Sequence, residues 1–96
     1  MNEVLNERFD ELARAIVVKA AIDYLELKIK IEKFGGTDRR NRELNDLREW
    51  FKSEWYRELT DVDGDWLIEQ LDAAFEKWKS KGELDKLKKV LRMREG

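Results

Sequence analysis

Residues 25–31 read LELKIKI. Apolar and charged residues alternate strictly, and in isolation that is the pattern of a half-buried strand. The chain holds no second alternating run to pair with it, so the stretch has to be read in its longer context. From residue 3 to 34, Leu5, Phe9, Leu12, Ile16, Ala20, Leu27, Ile31 and Phe34 follow steps of three and four, with one double step. That spacing predicts one long helix, and Gly35 follows as its left-handed stop.

A second stripe runs across from the first. Val18, Ile22, Leu25 and Ile29 are spaced by 4, 3 and 4, with Lys19, Asp23, Glu26 and Lys30 as a narrow charged strip between the two. A helix that is apolar on two sides needs two partners. At 1.5 Å per residue it is about 48 Å long, a length that the remaining residues surround with difficulty. The expectation is therefore that the other helices cover the Leu5–Phe34 stripe, while a second copy packs Val18, Ile22, Leu25 and Ile29 against themselves across a two-fold axis.

Downstream, Thr37 or Asp38 suits the cap of a second helix. Leu44, Leu47, Phe51, Trp55 and Leu59 share its face, with Ser53 as a kink or a new cap. Thr60 and Asp63 have the spacing of a capping box ahead of a helix over 64–80, whose face holds Leu67, Leu71, Ala74, Phe75 and Trp78. Ser80 and Glu83 predict a last helix over 82–94, with Leu84, Leu87, Val90 and Leu91. The fold class expected is all-α: one domain over 1–96, three to four helices, the long N-terminal helix central, in a homo-oligomeric helical bundle (a dimer or higher).

Composition narrows the chemistry. Charged residues make up 44% and apolar residues 42% of the 96, which is too apolar for a disordered chain. Twenty basic and 22 acidic residues leave a net charge of −2, with no general pull toward nucleic acid or membranes. There is no cysteine, so no disulfide or thiolate chemistry, and no histidine, so the usual near-neutral base and the His/Cys zinc sites are absent. No apolar run approaches the ~18 residues of a membrane span, and the start MNEVLNERFDE is unlike a secretory signal. The expectation is no enzyme, no cofactor, no metal and no membrane partner.

Three features remain. DVDGD (61–65) resembles part of a calcium loop, but a loop opening at Asp61 would need its glycine at the sixth position, where Trp66 stands. Its plain reading is acids gathered at a helix N-terminus. Among the tryptophans, Trp55 and Trp78 fall on apolar stripes and are expected in the core. Trp50 lies at the edge of its stripe. Trp66 lies about 100° from the Leu67 line and is expected at an interface. Finally, Arg48, Lys52 and Tyr56 are spaced i, i+4, i+8. On a continuous helix they form a row able to hold an anion or nucleotide, with Tyr56 stacking; alternatively Arg48 is a snorkelling structural arginine.

The run from Leu47 to Leu71 resembles a group of short helical proteins of Gram-positive phages and mobile elements. Trp50-Phe51-Lys52-Ser53 and Trp55-Tyr56 match the first half of their pattern; Leu59-Thr60, Asp63-Gly64 and Leu67-Ile68 match the second, and VVKAAIDY (17–24) is similar as well. Lys52 and Trp50 stand where arginine and phenylalanine are commoner. The resemblance implies phage origin and a bacterial cytosol, without an activity. With the Arg48/Lys52/Tyr56 row it leads to an expected host-directed, anti-defence binding protein that sequesters a nucleotide signal or blocks a defence protein. The alternatives are a DNA-associated phage regulator using Arg39, Arg40, Arg42 or the 82–94 helix, and a structural subunit of a phage assembly. Nucleic acid is the less expected partner.

Overall fold

In the computed structural model, residues 2–84, 86 and 89 are described, with side chains from Phe9 onward. Among the described residues four helices are delimited, in order α1 (Asn2–Phe34), α2 (Asp38–Phe51), α3 (Glu54–Leu59) and α4 (Gly64–Ser80). No strand occurs among the described residues. LELKIKI is helical within α1. On a helix, residues two apart are about 200° apart around the axis, so strict alternation also arises when opposite sides are buried, as they are here. Leu25 and Ile29 cluster with Ile22 and Phe75, joined by Leu71, Trp78 and Leu84. On the other side, Tyr24 clusters with Phe51 and Tyr56, joined by Val17, Ala20, Leu44, Leu47, Trp50, Leu67 and Ile68.

This corrects the expected division of α1. Ile22, Leu25 and Ile29 are buried beneath α4 of their own chain, and of that stripe only Val18 is exposed, at 50%. The Leu5–Phe34 stripe shows the reverse: Phe9, Leu12, Ile16 and Phe34 are exposed, and only Leu27 is fully buried. The working face is rotated toward Val17, Ala20 and Tyr24, which pack against α2, α3 and α4; Ala13, one turn earlier, is buried as well. Two clusters on one helix then leave no stripe at Val18–Ile29 for a second copy.

Helix ends follow local chemistry. Gly35 takes φ +88, and its N–H bonds the Ile31 carbonyl at 2.9 Å, closing α1. Thr37 caps α2, accepting from Arg40 N at 3.1 Å. Ser53 opens a new helix rather than kinking the old one, accepting from Tyr56 N at 3.3 Å. Asp63, not Thr60, caps α4, accepting from Trp66 N at 3.0 Å, while Thr60 ends α3. Contacts fix the directions. Arg48 of α2 returns to the level of Tyr24, whereas Asp72 reaches Tyr24 and Lys28, and Lys79 reaches Glu32. The long helices thus run up, down and up, and α1 sets the 49 Å long axis of a 49 × 26 × 21 Å molecule. Leu84 joins the α1/α4 cluster, and Leu84, Lys86 and Lys89 are helical, as expected of the 82–94 helix; its Leu87, Val90 and Leu91 lie outside the described residues, as does the side chain of Leu5.

Candidate binding surface

The expected Arg48/Lys52/Tyr56 row does not form. α2 ends at Phe51, Lys52 is its C-cap and Ser53 starts α3. The break shifts the helical phase, so the three residues go three ways. Arg48 Nε donates to the Tyr24 oxygen at 3.1 Å, with its guanidinium 5.8 Å from the ring centroid. Lys52 is exposed and stands 4.0 Å from Asp65 Oδ1. Tyr56 is 1% exposed, inside the aromatic cluster.

Arg48 is thus the structural arginine of the alternative reading, and it belongs to a polar network whose other members, Tyr24, Lys28 and Asp72, no sequence pattern indicated. The Tyr24 hydroxyl donates to Asp72 Oδ1 at 2.6 Å, and Lys28 Nζ donates to the same oxygen at 2.7 Å. Burial, reinforced by the Asp72 hydrogen bond, pushes the Tyr24 phenol up to about 12. Burial opposes ionisation of Asp72, but the hydrogen bonds from Lys28 and Tyr24 outweigh it and hold the carboxyl below its ordinary range. Tying α1, α2 and α4 together, this network is structural: its donors and acceptors satisfy one another.

The same phase shift moves the tryptophans. Trp55, expected in the core, is 72% exposed, because Tyr56 takes the inward position after the break. Trp66 is 52% exposed and Val62 43%. Trp50 is half-buried and packs edge-on against Phe51 and Tyr56 at centroid distances of 5.3 and 5.6 Å. Trp78 is half-buried against the α1/α4 cluster. Three large apolar side chains are therefore exposed within residues 55–66, the segment spanning α3 and the first turn of α4.

The same segment lines an open cavity of about 320 Å³, with Lys52, Tyr56, Arg57, Thr60, Asp61, Val62 and Asp65 in its wall and neither tryptophan among its lining residues. The Tyr56 hydroxyl is buried without a hydrogen-bond partner among the described residues. Its burial, and then the charge of Asp63, push the phenol up. The acids of DVDGD do not converge: Asp63 is occupied as a cap, and no group of three metal-ligating side chains exists among the described residues. Gly64 is required by proximity, since a Cβ there would strike the Phe51 carbonyl.

At the basic end of α2, an exposed Arg39 pairs with Glu43 at 3.2 Å, Arg40 donates to the Gly35 carbonyl at 3.0 Å, and Arg42 is exposed. No described helix is long and apolar enough to cross a membrane. Comparison of the chain with protein-family models, with curated proteins and with solved structures finds no match.

Proposed function

We propose that this chain is a non-enzymatic protein-binding module whose contact surface is α3 and its turn into α4. The observation that carries this is the exposure of Trp55 and Trp66, with Val62 between them. Exposed tryptophan is costly to leave in water, and it is enriched where partners contribute most binding energy. Both rings project from a segment whose inward positions are filled by Tyr56 and Gly64, so neither is needed for the core.

Together with the resemblance of residues 47–71 to short phage proteins, this supports a host-directed role, with a defence protein as the kind of target. Sequestration of a nucleotide loses its basis, because Arg48 is committed to Tyr24 and Tyr56 is buried. For the DNA-regulator alternative, Arg40 is tied to the Gly35 carbonyl, while Arg39 and Arg42 stay exposed without forming, among the described residues, a basic surface beyond the pair.

The test is capture from phage-infected bacterial cells by the native chain and by a Trp55→Ser/Trp66→Ser variant. The variant should stay helical with a near-native melting curve and lose the specifically captured protein. Unchanged capture contradicts the proposal, and so does a variant that unfolds, because the tryptophans would then serve the fold.

A further inference from the structure

We infer that the partner presents a basic segment, an arginine or lysine flanked by apolar side chains, and that its cation enters the cavity beside Asp61 and Asp65; this rests on the protein-binding reading above. Charge complementarity is the first support. Residues 54–65 carry five carboxylates against Arg57, a net −4 in a chain whose total is −2. All six of these charged side chains are exposed. Glu54, Glu58 and Asp61 make no ion pair among the described residues, and Asp65 has only the 4.0 Å approach of an exposed Lys52. Like charges this close repel, and neither the fold nor the α4 dipole requires all of them, since Asp63 alone supplies the cap.

The apolar residues are interleaved with these acids: Trp55 follows Glu54, Val62 lies between Asp61 and Asp63, and Trp66 follows Asp65. A tryptophan face attracts a guanidinium or ammonium group directly, so rings and carboxylates favour the same occupant. An acidic or purely apolar partner would leave the carboxylates desolvated and unpaired, which is unfavourable. The Tyr56 hydroxyl is the second, independent support. It is buried, unpartnered and part of the cavity wall, and a buried polar group without a partner is costly. Its oxygen has under 1 Å² of accessible surface and no partner among the described residues, so a seated cation supplies the missing donor by displacing the side chains that cover it.

The test uses the full chain, titrated in ¹H–¹⁵N NMR with a peptide of alternating arginine and leucine and with its glutamate–leucine counterpart. The arginine peptide should give saturable shifts at residues 54–66, and its affinity should fall steeply with salt. Asp61→Asn with Asp65→Asn should weaken it about tenfold, the scale of charge-assisted contacts. Tyr56→Phe should weaken it about threefold with helicity intact. Equal binding of the glutamate peptide overturns the inference, as does an affinity unchanged in both the Asp61/Asp65 and the Tyr56 variants. Capture of a host protein that needs Trp55 and Trp66 but not Asp61 and Asp65 also overturns it while leaving the protein-binding reading standing. Capture indifferent to the tryptophans removes that reading itself.

Discussion

Tyr24, fully buried where α1, α2 and α4 meet, carries the polar bonds that join them. Its phenol pKa is raised to about 12 by burial and by Asp72, so its contribution to stability is complete below the unfolded value of about 10 and is lost as pH rises toward 12. Urea melts between those values should therefore fall more steeply for the native chain than for Tyr24→Phe. Asp72 has the opposite sign. Its depressed pKa contributes stability above the ordinary carboxylate range and loses it as pH falls through the folded value, so acid should destabilise the native chain more than Asp72→Asn. At neutral pH, Asp72→Asn should cost about 1–3 kcal/mol in a urea melt, at the low end because the carboxylate is 35% exposed. Gly64→Ala should cost about 2 kcal/mol or more, since the added carbon meets a backbone carbonyl that cannot rotate away. At this scale the sequence was hard to read. A tyrosine at a core position looks like any aromatic, and nothing in the spacing of Tyr24, Arg48 and Asp72 shows that three helices bring them together.

Elements were more legible. The long N-terminal helix, its stop at Gly35, the cap at Thr37 and the helix over 64–80 all follow from periodicity and capping chemistry, and all are present. Two readings failed for one physical reason, phase. Treating residues 44–59 as a single helix put Trp55 in the core and aligned Arg48 with Tyr56, whereas the Ser53 cap restarts the helix and turns both around. On α1, the stripe drawn through Ile16, Ala20 and Leu27 passed over Val17 and Tyr24, which with Ala20 form the face against which α2, α3 and α4 pack. Single truncations measure which face is inside. Ile29→Ala should cost about 2–5 kcal/mol and Val18→Ala no more than about 0.5 kcal/mol, read from denaturant midpoints. Trp66→Ala should behave like Val18→Ala; a loss of about 3–5 kcal/mol would place that ring in the core.

For the whole molecule, the long axis is α1 itself, with the shorter helices folded along it so that both sides of its Val17–Ile29 stretch are buried by its own chain. Sequence reasoning recognised that α1 needed two partners and assigned one of them to a second copy. It underestimated α4, whose Leu71, Phe75 and Trp78 reach the Ile22/Leu25/Ile29 side while Leu67 and Ile68 serve the Tyr24 side. One helix wedged against both clusters makes the fold self-sufficient there, and the large apolar side chains left exposed among the described residues are Phe9, Leu12, Ile16, Val18 and Phe34 on α1 and Trp55, Val62 and Trp66 at α3 and the turn beyond it. Sedimentation and circular dichroism of Ile22→Lys/Leu25→Lys test this most directly. Two buried lysines facing Phe75 should abolish the cooperative melt and most of the helical signal. A soluble, still-helical protein with a native-like melt and half the native mass would contradict the account, showing that those residues face a second copy rather than α4.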